Sequence, residues 1–552
     1  MKNKDIGEAR IDSVSYPNKG HFYIAETGQR GIVKNAIPGQ KVLFRVYKNK
    51  NQKLSAHLLE VTEKSPLETR EPVCANFGRC GGCLYQTVPY EKQLEMKAEQ
   101  IRELFEPILS RDTIFDGIKA SPKEFEYRNK LDFSFGNEVI DGPLTCGIHR
   151  MRARYTVLDG DTCRLAHRDL TKISALIRDW CAEKELPFYN KLQHIGYIRY
   201  LMLRRSETTG EILICLAAST QMTCDFSPLV EQLLALELEG SIAGIFLADD
   251  DRYADALIAD RVHCLYGRDY FEEKILGLTF HISLFSFFQT NTLGAEVLYQ
   301  TARDYVRQSY DGRRMPVLYD LYCGTGTIAQ IMAQEAGKVY GIEIVPEAVL
   351  AARMNAELNA LDNCCFIAGD VGEKLMEIPE RPDYVILDPP REGVHEKALK
   401  QIMDYGVKNL VYISCKASSF VEDMLYLRQN GWKLVRYTLV DMFPETQHVE
   451  TICVLGRKKD KDVQYAYVDY APKDAEYLKG MKGSATYAEI KSWVKDKYGL
   501  TVSTLNIAQV KDKMGFEKRE CYNNGAEGHR VPDCPKDKEK AIIEAFKHFK
   551  MM

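Results

Sequence analysis

The sequence predicts an α/β protein whose main domain is a mostly parallel sheet covered by helices. Strand–helix units repeat from Pro316 onward, which is the pattern of a parallel sheet with helices on both faces. Short strands of alternating polarity fill the start of the chain. The stretch between mixes helices with strands and includes a predicted helix from Tyr90 to Phe105. We therefore expect a β-barrel, a central α+β domain, the α/β domain and a small helical extension. Their predicted bounds are 1–63, 64–285, 286–457 and 458–552.

Composition narrows the possible functions before any motif is considered. The net charge of -4 gives no global sign of nucleic-acid binding, so such binding would depend on local patches. No apolar run approaches the roughly 18 residues of a membrane helix, and the start MKNKDIGEAR has no signal-peptide core. We expect a cytoplasmic protein without membrane contact. Its 16 cysteines would then stay reduced, so clustered cysteines point to metal binding or catalysis.

The barrel is predicted from two alternating segments and one turn. Apolar and polar residues alternate over Ile6–Ile11 and again over Val42–Tyr47, and Pro38-Gly39 turns the chain before the second segment. This spacing of short strands favours a closed all-β unit.

Three cysteines form the strongest local signal in the central region. Cys74, Cys80 and Cys83 lie within ten residues, among glycines that let the backbone wrap closely round a ligand. A fourth ligand is needed, and Cys163, in a polar turn-like setting, is a better candidate than Cys146. Zinc sites usually use two CxxC knuckles, whereas one wide spacing followed by a pair is typical of an iron–sulfur cluster.

The α/β domain carries the marks of a nucleotide-like cofactor site. Its first strand runs into a glycine turn over Val317–Thr327, and its second strand ends at Glu343, where a carboxylate can accept hydrogen bonds from ribose hydroxyls. The third strand ends at Asp370, near where an adenine would lie, and the fourth ends in Asp388-Pro389-Pro390. Together these features favour S-adenosylmethionine over NAD, because the dinucleotide fingerprint is incomplete.

A candidate nucleophile follows the fifth strand. Val411–Ile413 reads as buried, so Cys415 comes where a strand of an open sheet emerges at its carboxyl end. A thiol there can act as a nucleophile if a neighbour takes up its proton, and Glu450 is a candidate partner. Alone, a cysteine in such a chain is more often a small buried hydrophobic residue.

Four motifs in order identify a family resemblance. They are Asp388-Pro389-Pro390-Arg391, Ser414-Cys415, Asp441-Met442-Phe443-Pro444 and His448-Val449-Glu450. The combination resembles the RNA uracil-C5 methyltransferase family, in particular its iron–sulfur branch with a TRAM domain, which acts on 23S ribosomal RNA. The resemblance covers about residues 5 to 457.

The resemblance implies a fold and an activity. The α/β domain would be a Rossmann-like S-adenosylmethionine methyltransferase domain, and the barrel would be a TRAM domain that grips RNA. Cys415 would attack carbon 6 of uracil, and Glu450 would remove the proton from carbon 5 after methylation. The target uridine would be flipped out beside Phe287 and Phe288. We expect the enzyme to act as a monomer.

The resemblance also implies two sets of ligand-binding residues. Those that would contact the methyl donor are Gln289, Tyr322, Glu343 and Asp388. Those that would hold a 4Fe-4S cluster are Cys74, Cys80, Cys83 and Cys163, which removes Cys146 from the set.

Some positions depart from the family pattern. Lys416-Ala417 stands where the family usually has Asn-Pro, and a cation beside the thiol would favour the thiolate. Tyr322 and Thr327 replace the commoner Phe and Asn.

Alternatives to 23S rRNA methylation are the same reaction on transfer RNA, a non-catalytic RNA-binding assembly factor, and a radical enzyme that uses the cluster. The intact Cys415, Glu450 and Asp388 argue against the second alternative, and the absence of CxxxCxxC spacing argues against the third.

The last ninety or so residues lie beyond the resemblance and predict a small helical unit. After a charged linker at 457–461, two helices are predicted over 487–497 and 503–514. Their lysine-rich faces allow either an added RNA contact or a solvated small domain. A further group of possible zinc ligands, Cys521, His529 and Cys534, has a spacing that fits no common knuckle.

Overall fold

The fold was analysed in a computed structural model of the whole chain. The structure describes residues 1–51, 53–253, 257, 259–309, 315–407, 409–457, 487–500, 502–514 and 535–549. The chain forms two compact units, Met1–Lys461 and Asp462–Met552.

A closed five-stranded barrel begins the first unit, as predicted. Its strands are β1 (Ile6–Ser15), β2 (Lys19–Ile24), β3 (Gln29–Lys34), β4 (Lys41–Lys50) and β5 (Lys53–Glu63), in the order β1-β2-β3-β5-β4. Alternate residues point inward, and Ile11, Phe22, Val33 and Phe44 are buried together in the barrel core.

The central region is a seven-stranded sheet with helices. Helix α1 (Tyr90–Phe105) precedes it and matches its predicted bounds, followed by a short 3-10 turn, Glu106–Ile108, and by β6 (Ile114–Lys119). The sheet elements are β7 (Lys130–Asn137), β8 (Leu144–Arg150), β9 (Ala153–Asp159), α2 (Arg168–Glu183), β10 (Ile198–Arg205), β11 (Glu211–Ala218), α3 (Ser227–Ala235), β12 (Ser241–Asp249) and β13 (Arg261–Gly267). The strand order is β13-β12-β11-β10-β7-β8-β9, and a separate hairpin, β14 (Tyr270–Ile275) and β15 (Leu278–Ser283), leads to the next domain.

An eight-stranded sheet forms the α/β domain. Its strands are β16 (Met315–Leu321), β17 (Ala336–Glu343), β18 (Cys364–Ala368), β19 (Tyr384–Leu387), β20 (Asn409–Ser414), β21 (Trp432–Val440) and β22 (Glu450–Arg457), with β6 at one end. Its helices are α4 (Thr292–Ser309), α5 (Thr327–Met332), α6 (Pro346–Leu358), α7 (Val371–Lys374), α8 (Glu396–Asp404) and α9 (Ala417–Gln429), with a 3-10 turn at Leu375–Glu377.

The strand order of this sheet is β18-β17-β16-β19-β20-β22-β21-β6. The first five strands are parallel, as their continuous apolar sequences predict, and separate apolar cores lie on the two faces of the sheet. Strand order reverses between β16 and β19, and ligands of open α/β sheets bind at such a point. The predicted α/β class is confirmed.

The last strand of this sheet comes from outside the predicted α/β domain. Strand β6 pairs in parallel with β21, so that Ile114 lies opposite Arg436 and Lys119 opposite Val440. The central region and the α/β sheet are therefore joined by backbone hydrogen bonds. The domain bounds read from the sequence stay predictions.

The second unit contains three described helices, α10 (Tyr487–Tyr498), α11 (Thr504–Lys513) and α12 (Lys536–His548). The first two are the predicted helices, and the third was not anticipated. Apolar side chains from all three, among them Val494, Ile507 and Phe546, form a core of their own. Cys521, His529, Cys534 and most of the predicted linker lie outside the described residues. Across the described ranges, no helix is long and apolar enough to cross a membrane.

Candidate active site

Strand pairing brings Cys415 and Glu450 together at the carboxyl end of the parallel sheet. Strand β20 ends at Ser414, and β22 begins at Glu450 and runs antiparallel beside it. Ser414 lies opposite Thr451, whose Oγ1 donates to the Ser414 carbonyl oxygen at 3.3 Å. The residue after Ser414 and the residue before Thr451 therefore face each other across the ladder.

The Cys415 thiol lies half-buried among acidic groups. Burial raises the pKa of Cys415 to about 11, and the negative charges of Glu450 and Asp388 act in the same direction. The Arg391 guanidinium opposes them, because it hydrogen-bonds to the thiol and favours its charged form. Ionisation of this cysteine thus depends on a nearby cation and on where its proton can go.

Two carboxyl groups next to the thiol are poised to exchange protons near neutral pH. Burial, with a contribution from Asp388, raises the pKa of Glu450 to about 8, and Arg391 opposes the rise. Burial raises the pKa of Asp388 to about 7. A buried acid with such a pKa can accept a proton and release it again, which a general base requires.

Arg391 is a cation whose charge and hydrogen bond lower the pKa of the Cys415 thiol. Lys416 was expected to favour the thiolate, but its side chain is exposed at the start of α9. Arg391 follows β19, and its carbonyl oxygen accepts a hydrogen bond from Ser419 Oγ at 2.8 Å, which ties its segment to α9. The sequence feature that could have pointed to Arg391 is its place directly after Asp388-Pro389-Pro390.

The glycine turn after β16 forms a cradle closed on one side by Glu343. One Glu343 oxygen accepts a hydrogen bond from the Gly324 N–H at 3.1 Å, and the other accepts one from the Val345 N–H at 3.0 Å. A Cβ on Gly324 would meet no atom within 4 Å, whereas one on Gly326 would lie 2.7 Å from the Phe366 ring. The first glycine therefore borders open space, and the second allows close packing behind it.

The other residues expected to hold the methyl donor divide between two places. Tyr322 lies in the glycine turn at a φ of 66°, and its N–H donates to the Ile342 carbonyl oxygen at 2.9 Å. Gln289 hydrogen-bonds to the hydroxyl of buried Tyr299. The negative charge of Asp388 helps to raise the pKa of that hydroxyl, so Asp388 also lies near it. Gln289 and Asp388 are thus near the Cys415 end of the crevice, and Tyr322 and Glu343 near the turn. Their contacts with a methyl donor stay predictions.

Asp370, which was expected near the adenine, caps a helix. Its carboxylate accepts hydrogen bonds from the N–H groups of Gly372 and Glu373 at the start of α7.

The four cysteines proposed for a cluster lie in one neighbourhood. The charge of Cys163 acts on Cys80 and on Cys83, and burial is the main cause that raises the pKa of each of these thiols. Asn76 Nδ2 donates to the Asp159 carbonyl oxygen at 2.8 Å, which joins the segment of Cys74 to that of Cys163. The buried Cys146 thiol instead neighbours Cys181. Within the described residues, however, no group of three metal-binding side chains is close enough to hold an ion.

A barrel residue also reaches this crevice, and no motif in the sequence indicated it. Tyr16 lies in the turn between β1 and β2 and packs on the apolar core beneath α9. Burial raises the pKa of Tyr16 to about 12, and the negative charges of Cys415 and Glu450 raise it in the same direction. The backbone of Ala417 hydrogen-bonds to the Tyr16 hydroxyl. The barrel therefore borders the candidate active site.

The fold and the glycine turn define a methyltransferase domain, and a family model described as "Methyltransferase domain" matches residues 313–544. A Clostridium tetani RNA methyltransferase is 41% identical over 451 residues, which are 82% of this chain and 97% of the relative. An RNA methyltransferase of Clostridium acetobutylicum is 40% identical over 458 residues, 83% of this chain and 99% of the relative. The chain belongs to this family of RNA methyltransferases.

A solved structure with the same architecture gives a comparison of folds. Pyrococcus abyssi tRNA (uracil-54, C5)-methyltransferase, in complex with S-adenosyl-L-homocysteine, superposes with a TM-score of 0.62 at 22% identity. The match covers 81% of this chain and 100% of that one. At this identity the likeness shows the fold alone.

Proposed function

We propose that this enzyme methylates carbon 5 of a uridine in 23S ribosomal RNA, with S-adenosylmethionine as the methyl donor. The observation that carries the proposal is the placement of Cys415 opposite Glu450, across the β20–β22 ladder and beside Arg391. The Pyrococcus protein of similar fold is a uracil-C5 methyltransferase, which supports the same reaction class.

Carbon 5 of uracil is a weak nucleophile, and a thiolate can make it a strong one. The Cys415 sulfur adds to carbon 6, and the electrons of the C5–C6 double bond move toward the O4 carbonyl. The resulting enolate attacks through carbon 5. S-adenosylmethionine supplies the electrophilic methyl group, and with the methyl–sulfur bond broken it leaves as S-adenosylhomocysteine. Arg391 stabilises the thiolate before the addition and again when the sulfur leaves.

Release of the product requires a base on the other side of the ladder. After methyl transfer, carbon 5 carries both a proton and the methyl group. Glu450 removes that proton, the C5–C6 double bond re-forms, and the C–S bond breaks to return the Cys415 thiolate. The pKa of Glu450, raised by burial to about 8, makes the carboxylate a stronger base than an exposed glutamate.

The methyl donor would lie along the carboxyl ends of β16, β17 and β19. The open space over Gly324 and the Glu343 carboxylate fit a ribose there, and Tyr322 borders the same turn. Gln289 and Asp388 lie toward the thiol, where the methyl group has to be presented.

The RNA would be held by the barrel, which we propose is a TRAM domain, with the target uridine flipped out of its stack. Of the two phenylalanines predicted beside the base, Phe288 is 5% exposed and belongs to the core. Phe287 is 70% exposed and can offer its ring to a base.

For the four cysteines we propose a 4Fe-4S cluster with a structural role. The mutual charge effects among Cys74, Cys80, Cys83 and Cys163 support the grouping. Among the described residues, the metal-binding side chains do not come close enough together to form a complete metal site. No step of the reaction is therefore assigned to the cluster.

The reaction is tested with two substitutions and a matched control. Cys415→Ala should abolish 5-methyluridine in 23S RNA, measured by mass spectrometry of nucleosides from cells that carry each variant. Glu450→Gln should trap a covalent protein–RNA adduct, seen as a shifted band on a denaturing gel, because addition proceeds and elimination stops. Cys364→Ala, on β18 of the same sheet, should leave methylation intact. Methylation retained by Cys415→Ala would falsify the mechanism.

A second candidate is methylation of transfer RNA, because the Pyrococcus protein of similar fold is a transfer RNA methyltransferase. Separated ribosomal and transfer RNA pools from cells with and without the enzyme distinguish the two, since the missing 5-methyluridine identifies the substrate.

A further inference from the structure

A buried lysine on α1 joins the central region to the loop that carries Glu450. Lys97 Nζ lies 2.7 Å from Asp441 Oδ1, with the two side chains 1% and 0% exposed. The same amine donates to the Phe443 carbonyl oxygen at 3.1 Å. Residues 441–449, here called the catalytic loop, connect β21 to Glu450.

A second side chain on the same face of α1 holds the middle of the catalytic loop. Gln93, one helical turn before Lys97, donates from Nε2 to Glu445 Oε1 at 3.0 Å. Its Oε1 accepts a hydrogen bond from the Glu445 N–H, also at 3.0 Å. Both ends of one amide are thus used on one loop residue.

The carbonyl oxygens of the catalytic loop are held by groups from three other segments. The Leu84 N–H donates to the Glu445 carbonyl oxygen at 2.7 Å, and Asn291 Nδ2 donates to that of Met442 at 2.9 Å. The Tyr127 hydroxyl donates to the Pro444 carbonyl oxygen at 3.1 Å. The loop is therefore fixed along its length before it reaches Glu450.

Stability alone is a weak reason for a buried ion pair at this place. Removing two charges from water costs about as much as their attraction returns, and apolar side chains of similar size often stabilise a core at least as well. The directional bonds of Lys97 to a carboxylate and to a carbonyl oxygen instead fix one loop conformation.

We infer that Lys97 is a positioning residue for the methylation reaction, which holds the catalytic loop so that the Glu450 carboxylate meets the carbon 5 proton. The inference rests on the proposed function. It assigns Lys97 to the elimination step alone, because Glu450 directly follows this loop as the first residue of β22, whereas Cys415 follows β20.

Lys97→Met should therefore slow release of the product more than formation of the C–S bond. We expect kcat to fall by about tenfold to a hundredfold, the range that small displacements of a reacting group produce, with little change in KM for RNA. The methylated covalent complex should accumulate during turnover. A purely structural lysine would lower the amount of folded enzyme without that accumulation.

Two comparison variants make the test decisive. Lys92→Met, on the exposed side of α1, should keep the parent kcat and show no adduct. Lys97→Met combined with Asp441→Asn removes the unpaired charge, so its melting temperature should recover while the adduct persists. Recovery of both melting temperature and kcat in the double variant would overturn the inference, as would loss of kcat without adduct in the single variant.

Failure of this inference can be told from failure of the proposed function. If Glu450→Gln traps an adduct and Lys97→Met does not, the reaction stands and the role of Lys97 falls. If Glu450→Gln traps none, the proposed function itself is overturned.

Discussion

Arg391 opposes the upward pKa shifts of both reacting groups in the crevice. It lowers the pKa of Cys415 against burial and two carboxylates, and it lowers that of Glu450 against burial and Asp388. Burial outweighs the effect of Arg391, so the pKa stays raised for both groups, at about 11 for Cys415 and about 8 for Glu450. A single guanidinium thus sets how readily the thiolate and the base form.

The pH dependence of the reaction should follow the Glu450 carboxyl. Glu450 acts in the elimination step, and with a pKa of about 8 its carboxyl holds the proton below that pH, so kcat should rise with pH through that value. Arg391→Met removes the charge that lowers the pKa of Glu450, so this pKa should rise further. The rising limb of the pH–rate profile should then lie about one pH unit higher. Rates measured from pH 6 to 10 check this.

Lys416→Met is the matched control, since that exposed cation adjoins Cys415 in sequence. Its profile should coincide with that of the parent enzyme. The assignment fails if Lys416→Met shifts the limb and Arg391→Met leaves it in place.

At the scale of elements, the sequence predicted what depends on local pattern and missed what depends on pairing. The barrel strands, α1, the parallel strands and the glycine turn were all readable from alternation, apolar runs and turn residues. Glu450 was named as a candidate partner of Cys415, but the antiparallel register of β22 that brings the two face to face is contained in no local pattern. Tyr16 was missed for the same reason, because its neighbours are remote in sequence.

The cysteine segment offers a test at the same scale. If the four cysteines bind a cluster, anaerobically purified enzyme should contain about four iron and four sulfide per chain and show the visible absorption of an iron–sulfur cluster. Cys83→Ala should lose most of the iron, because one thiolate ligand is gone. Iron analysis and absorption spectra measure this.

Cys146→Ala serves as the comparison, since that thiol is buried away from the other four. It should retain the parent iron content. Equal iron in the two variants, or iron absent from the parent enzyme, would contradict the cluster.

For the whole molecule, the end strand of the α/β sheet decides which fragments can fold. A fragment of residues 286–457 lacks β6 and leaves β21 as an unpaired edge, with its row of free N–H and C=O groups. We expect this fragment to aggregate, whereas residues 1–461, which form one compact unit, should remain soluble. Size-exclusion chromatography of the two fragments checks this. A monodisperse 286–457 fragment would show that β6 is dispensable.

The pairing of β6 with β21 also sets an order of assembly during synthesis. Residues 114–119 leave the ribosome long before their partner at 432–440, so this contact closes late and over a large sequence separation. Until then the nascent central region has no strand beside β6, a condition in which chains are prone to misassociate. Translation pauses or chaperone contacts in that interval should therefore influence the yield of active enzyme more than changes near either terminus.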